Sequence, residues 1–299
     1  MNCMPHTTKI PPHFSIMRSN KTIICVKEDY KEFIADIISP PLVSEAGNQD
    51  SFRIKQGRGL YPAIPIKKNG GERLIVRNYK HGGMLGRLLG NVFFFGDRPL
   101  NEIYVHEIAR KNGIPSAEAI AVTKKKRWGI FYSANFISKE IADAVDLIDF
   151  LNEQPAGDIQ ASKKSVIFTL AKLIRKMHDA GIYHADLHLK NMLLKKISGG
   201  TFEAYIIDLD KSTVWRQLTI GKRMKNLLRL DRSLEKYYWL QGKKTEKPLS
   251  HVSKTDRIRF FKAYMTADPA IDRDWKAYMR RYYSPHTFHK LWWRFSGLS

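Results

Sequence analysis

The sequence predicts an α+β fold with two lobes, an N-terminal antiparallel sheet carrying one helix and a larger helical C-lobe. Three observations predict it. Between Asp50 and Tyr79, strand-like segments (DSFRIK, LYPAIPI, ERLIVRNY) alternate with the turn-formers QGRG and KKNGG. Beyond Ser138 the hydrophobic period becomes helical. The chain has 299 residues, 43% apolar and 27% charged, which is enough for a sizeable core and excludes general disorder.

Each element has its own signal. Residues 1–49 read as an extension, with a helix around Glu28 to Ile38 and a break at Pro40-Pro41. The N-lobe is assigned to 50–137 and the C-lobe to 138–299. After the strands comes the Gly-rich HGGMLGRLLGN, then a helix from Pro99 to Asn112 stopped by Gly113 and Pro115. WGIFYSANFI reads as a strand. Val166, Leu170, Leu173, Ile174 and Met177 form one buried stripe of a helix from about Ser165 to Ala180, and Gly181 suits its C-terminal cap. GIYHADLHLKN follows, then the strands MLL and FEAYII joined by a turn containing SGG, ending in Asp208-Leu209-Asp210. The remainder reads as helical, closing in a tail rich in aromatic and basic residues.

Composition limits function. Lys and Arg number 51 against 29 Asp and Glu, a formal charge of +22 that implies a polyanionic neighbour. Nucleic acid is one candidate, but no nucleic-acid module is visible and an anionic lipid surface suits the charge equally. Cys3 and Cys25 alone make no disulfide framework. No apolar run approaches the ~18–20 residues of a spanning helix, and MNCMPHTTKI lacks a signal-peptide core. The chain therefore reads as intracellular.

The informative unit is HADLHLKN followed by IIDLD, which places Asp186, Asn191 and Asp208 in order between a buried helix and a hairpin. This arrangement resembles the core of protein-kinase-like phosphotransferases. In-line phosphoryl transfer needs a carboxylate to receive the acceptor hydroxyl's proton, here Asp186. It also needs oxygen ligands for Mg²⁺ against the nucleotide phosphates, here Asn191 and Asp208. Competing readings are a His184–Asp186–His188 metal cluster, a glycosyltransferase D-x-D site at Asp208-Leu209-Asp210, and solvated loop carboxylates. His184 reads as structural. His188 stands where protein kinases carry Lys, which points away from protein substrates.

In the N-lobe, QGRG is a phosphate-covering loop candidate, with Gly57 and Gly59 permitting close backbone approach to ATP. Arg77 in LIVRNY occupies the place of the phosphate-holding Lys and can bridge phosphate oxygens bidentately. Glu102 is its candidate ion-pair partner, with Glu107 as the alternative.

With these residues placed, QGRG, VRNYKHGGMLGRLLGN, NGIPSAEAIA, HADLHLKN with IIDLDKS, and NLLRLDRSLEK together resemble the lipopolysaccharide kinase family of Gram-negative bacteria. That family includes 3-deoxy-D-manno-octulosonic acid (Kdo) kinase and the core heptose kinases. The resemblance spans roughly Gly57 to Lys236. It implies ATP- and Mg²⁺-dependent phosphorylation of a sugar hydroxyl in the lipid A–linked inner core, most readily on Kdo, at the cytoplasmic face of the inner membrane. Core heptose is the alternative acceptor, and a non-catalytic kinase-like stress or binding protein the alternative class. Arg229 and Arg232 are candidates for the acceptor's carboxylate or phosphates. WKAYMRRYYSPHTFHKLWWRF in the tail is a candidate contact with an anionic membrane surface.

Overall fold

The computed structural model describes residues 10–38, 53–56, 59–66, 71–79, 92–94, 96–153, 156–197, 200–242 and 252–266. The N-lobe consists of β1 (Phe14–Ser19), β2 (Thr22–Lys27), α1 (Lys31–Ile38), β3 (Arg53–Gln56), β4 (Gly59–Pro65), β5 (Arg73–Asn78), α2 (Arg98–Lys111), β6 (Ala119–Lys126) and β7 (Tyr132–Lys139). Its strands form one seven-stranded sheet in the order β1-β2-β6-β7-β5-β4-β3, every ladder antiparallel.

Both faces of this sheet are buried. Cys25 of β2 packs with Phe14, Tyr79, Ile103 and Phe136 on the face covered by α2. Ile24 and Val26 pack with Leu74, Val76, Ile120 and Ile34, the last from α1, on the opposite face. The apolar run IICV is thus a strand buried on two sides.

The expectation that residues 1–49 are an extension needs correcting, because β1, β2 and α1 belong to the N-lobe itself. The physical reason is long-range pairing: Val26 pairs with Ala121 and Thr22 with Lys125, which no local period reveals. WGIFYSANFI is also divided differently. Trp128 to Phe131 form the hairpin turn, closed by Phe131 N–H donating to Trp128 O at 3.0 Å, and β7 begins at Tyr132.

The C-lobe contains β8 (Ala144–Asp146), α3 (Leu147–Glu153), α4 (Ala156–Asp179), β9 (Ile182–Tyr183), β10 (Met192–Lys196), β11 (Phe202–Ile206), β12 (Thr213–Val214), α5 (Ile220–Gly242) and α6 (Lys254–Met265). Helix α4 starts earlier than its apolar stripe suggests, but Val166, Leu170, Leu173, Ile174 and Met177 are all buried in the C-lobe core. It ends at Gly181, whose φ of +77° is the left-handed value that glycine adopts freely. A Cβ there would sit 1.9 Å from Trp215 O. Strands β8, β10 and β11 form a small sheet, and β9 pairs with β12, so the loop 184–191 is clamped between two short sheets.

The lobes meet through a bridge between Ser116 and Ile206 and through Arg98, whose guanidinium holds Asp210 bidentately. Among the described residues no helix is long and apolar enough to cross a membrane. Gly57, the Gly-rich stretch at 80–91 and the aromatic tail at 267–299 lie outside the described residues.

Candidate active site

The loop 184–191 is held by hydrogen bonds within itself, by α5, and by Ile207 and Ser212 after β11. His184 is buried, which lowers its pKa and keeps the imidazole neutral. Its Nε2–H donates to Ile207 O at 3.1 Å, and its Nδ1 accepts the Asp186 N–H at 3.1 Å. Both nitrogens are therefore committed to the backbone, which removes His184 from any metal cluster. Asn191 Nδ2 donates to Asp186 O at 3.0 Å, leaving the Asn191 Oδ1 face for another partner. The Asp186 carboxylate is half-exposed, with Oδ2 3.4 Å from His188 Nε2 and Oδ1 3.4 Å from Arg229 Nη1.

Three polar side chains of α5 reach this loop from one helix face. Asn226, fully buried, accepts the His184 N–H at 3.1 Å and donates to His184 O at 2.8 Å. Arg229 donates to Ala185 O, and Ser233 Oγ accepts the Leu189 N–H at 3.2 Å. Their i, i+3, i+7 spacing is that of one helical stripe. Arg229 thus meets the loop, whereas Arg232 is exposed and has no hydrogen bond or ion pair to the loop among the described residues.

Opposite the loop, Asp208 follows β11 with φ 59°, a conformation that Asp tolerates better than most residues. Its Oδ1 lies 3.1 Å from Arg77 Nη1, yet it is buried and lacks a partner in hydrogen-bond geometry. Arg77, on β5, also pairs with Glu102 of α2, which in turn accepts from Tyr79 Oη. Burial works against the Arg77 charge, but Glu102 and Asp208 outweigh it and hold the pKa above its ordinary value. Burial raises the Glu102 carboxyl to about 7 against the pull of Arg77. Glu107 turns elsewhere, to Arg110 at 2.9 Å and His13 at 2.9 Å. Of the two candidates, Glu102 is the partner of Arg77.

The two carboxylates of Asp208-Leu209-Asp210 part company. Asp208 faces Arg77, while Asp210 is taken by Arg98 of α2. They do not share a site, and among the described residues no cluster of three His, Cys, Asp or Glu forms a metal cage. Among the described residues that line the cleft, Asn191 Oδ1 and the Asp208 carboxylate are hard oxygen ligands of the kind that Mg²⁺ takes alongside phosphate and water oxygens.

The cleft itself lies between Ile75 and Phe136 of the N-lobe sheet and Asn191, Ile207 and Asp208 below. Gly59 opens β4 opposite Gln56, at the rim of the same sheet. A separate apolar cavity sits between α4, α5 and α6, but its carboxylates are already paired, Asp256 with Lys163 at 2.8 Å and Asp231 with Arg257 at 2.7 Å. The chemistry belongs to the interlobe cleft.

Sequence reasoning missed Asn226, Ser233 and the Arg98–Asp210 clamp. The available signal was NLLRLDRS, where polar residues recur on the face of α5 that also buries Leu227, Leu230 and Leu234.

Comparison with known proteins bears on the family and the fold. The family model described as "Lipopolysaccharide kinase (Kdo/WaaP) family" matches residues 66–264. A 3-deoxy-D-manno-octulosonic acid kinase of Vibrio cholerae serotype O1 is 31% identical over 190 residues, covering 62% of this chain and 74% of that protein. One from Photobacterium damsela subsp. piscicida is 31% identical over 198 residues, covering 63% and 73%. Among solved structures, "WaaP in complex with acyl carrier protein" aligns with TM-score 0.54 at 18% identity, over 90% of this chain and 98% of that one. That likeness extends the fold assignment across nearly the whole chain.

Proposed function

The chain belongs to the lipopolysaccharide kinase (Kdo/WaaP) family, a family of phosphotransferases with hydroxyl acceptors, and we propose that it transfers the γ-phosphoryl of ATP to a Kdo hydroxyl in the lipid A–linked inner core. The observation that supports this reading is the convergence of Asn191, Asp208 and Arg77 on one cleft, with the Asp186 backbone carbonyl held by Asn191. Asp186 projects a half-exposed carboxylate beside that cleft, where it orients the acceptor hydroxyl and takes its proton as the oxygen bonds to phosphorus and ADP departs. Asn191 and Asp208 would hold Mg²⁺, which supplies neutralising charge on the nucleotide phosphates. Arg77, fixed by Glu102, contacts those phosphates, and Gly59, which opens β4, remains a candidate for their approach, whereas Gly57 lies outside the described residues. Arg229 orients the loop through Ala185 O and leaves part of its guanidinium exposed beside Asp186, where an anionic acceptor would approach. Arg232 is the more exposed candidate for the same acceptor.

A lipid-linked acceptor together with ATP as donor supports work at the cytoplasmic face of the inner membrane. The test is mass spectrometry of Kdo–lipid A and heptose-extended lipid after incubation with ATP, with and without Mg²⁺. One added phosphate on Kdo–lipid A, dependent on both ATP and Mg²⁺, is the expected result. Phosphate on heptose alone would transfer the assignment to a core heptose kinase, and no transfer to either would remove the kinase reading.

A further inference from the structure

The hairpin between β6 and β7 carries an exposed basic and aromatic tip. Its tip reads Lys125-Lys126-Arg127-Trp128-Gly129-Ile130, and all six residues are exposed. Trp128 is 64% exposed and Ile130 45%, and Phe94, 49% exposed, joins them from the segment leading into α2. These rings form one wedge: Trp128 and Phe131 are 4.0 Å apart between centroids, and Phe94 and Phe131 are 4.6 Å apart. The rings pack on each other at tilts of 43° and 49°.

Cations surround the wedge. Lys126 N–H donates to Lys21 O at 2.8 Å, so the β1–β2 turn lies alongside and adds exposed Lys21 and Arg18. The nearby acid is Asp97, 3.7 Å from Lys124. The next residue along, Arg98, is the one that grips Asp210 beside the cleft, so the hairpin stands at the end of α2 that faces the chemistry. Among the described residues, neither the N-lobe core clusters nor the cleft lining includes Lys125 to Ile130.

We propose that the β6–β7 hairpin is a membrane-docking element, its Trp128–Ile130–Phe131 wedge inserting at the headgroup level of an anionic bilayer while Lys125, Lys126 and Arg127 bind lipid phosphates. Aromatic rings favour that depth, and each basic side chain near an anionic leaflet strengthens binding roughly fivefold. The inference deepens the proposed function by naming the surface on which a lipid-linked acceptor is met, yet its primary test needs no substrate.

The experiment is flotation of the full chain with vesicles of phosphatidylethanolamine and phosphatidylglycerol at low and high salt. Two hairpin variants are compared, Lys125→Glu/Lys126→Glu/Arg127→Glu and Trp128→Ser/Ile130→Ser, with Lys164→Glu/Lys172→Glu/Lys196→Glu as a control of equal charge change on exposed C-lobe positions. Thermal unfolding of each confirms that it is folded. The expected result is about 100-fold weaker vesicle binding for the charge reversal, at least tenfold weaker for the wedge variant, and a much smaller effect of the C-lobe control. Turnover on a deacylated, water-soluble acceptor should stay at the unsubstituted level, which separates failure of docking from failure of the kinase reading. Equal loss in the control and the hairpin variants would reduce the effect to net charge and overturn the proposal. So would unchanged vesicle binding accompanied by loss of binding to a fluorescent RNA oligonucleotide, which would assign the hairpin to nucleic acid.

Discussion

Replacing Asn226 by alanine should uncouple folding from catalysis in a measurable way. The side chain is completely buried on α5 and serves three partners: His184 N–H at 3.1 Å, His184 C=O at 2.8 Å and the His178 Nε2–H at 3.1 Å. Alanine strands all three in a space closed by Tyr264, whose hydroxyl already pairs with His178 Nδ1 at 2.7 Å. Each buried polar group left without a partner costs ~1–3 kcal/mol, and water entering the vacated volume recovers part of it. The sum is about 3–5 kcal/mol, which for a chain of this size lowers Tm by roughly 6–15 °C. The loss falls on the residue two before Asp186, so the loop loses its rigid support even where the variant is folded. Calorimetry gives the stability change. Steady-state kinetics at a temperature where the variant is fully folded should show kcat at least tenfold lower with ATP binding within about threefold. A folded Asn226→Ala protein with unsubstituted kcat would refute the argument that α5 sets the geometry of the loop.

Asp186→Asn should lower kcat by roughly 10²–10⁴ while leaving nucleotide affinity nearly unchanged by calorimetry, because this carboxylate faces the acceptor; near-normal turnover would withdraw its role. Asp208→Ala should abolish the Mg²⁺ enhancement of ATP binding, and an undiminished enhancement in titrations with and without the ion would locate the metal elsewhere. Gly181→Ala should destabilise by about 3 kcal/mol or more, read in urea unfolding, since φ is +77° and the new Cβ would lie 1.9 Å from Trp215 O. Acid should destabilise through His178, whose pKa burial lowers from 6.5 to about 3. The folded state keeps it neutral, so its stabilisation is full above pH ~6.5 and fades as pH falls toward 3, a loss of about 2 kcal/mol by pH 5. His178→Gln should flatten the change in urea-unfolding stability between pH 7 and 5, and an unaltered slope would place the titration elsewhere.

The sequence made some of this legible and hid the rest for identifiable reasons. Asp186, Asn191 and Asp208 are readable because phosphoryl transfer constrains spacing along a short loop and hairpin; the fold delivers Asn191 and Asp208 to one cleft and ties the Asp186 carbonyl to Asn191. Gly181 is readable because a helix end written as a periodic stripe followed by glycine is local information. Strands β1 and β2 are not local. Their assignment depends on β2 finding β6, with Cys25 opposite Val122, and on α1 covering the face that α2 leaves bare. Glu102, the first candidate on sequence, is separated from Glu107 by tertiary pairing: both lie buried on α2, but Glu102 meets Arg77 and Tyr79 while Glu107 is taken by Arg110 and His13.

The same distinction explains Arg229. Read along the chain, NLLRLDRSLEK looks like a basic helix waiting for an acidic acceptor. In the fold, Asn226, Arg229 and Ser233 are spent first on the loop that carries Asp186, binding His184, Ala185 and Leu189 in turn. The loop's buried Leu187 and Leu189 both follow Asp186, and its internal hydrogen bonds reach the Asp186 backbone, not its half-exposed carboxylate. A rigid helix that supplies three polar contacts at helical spacing does fix it, and at little entropic cost because the helix is already packed in the core. That makes the α5 stripe a requirement of the loop geometry before it is a requirement of substrate recognition. Arg229→Lys separates the two roles. Lysine keeps the charge near Asp186 but provides no planar fork to hold Ala185 O while facing an acceptor anion. If positioning dominates, kcat falls with the acceptor KM nearly constant; a rise in KM alone would return Arg229 to substrate binding.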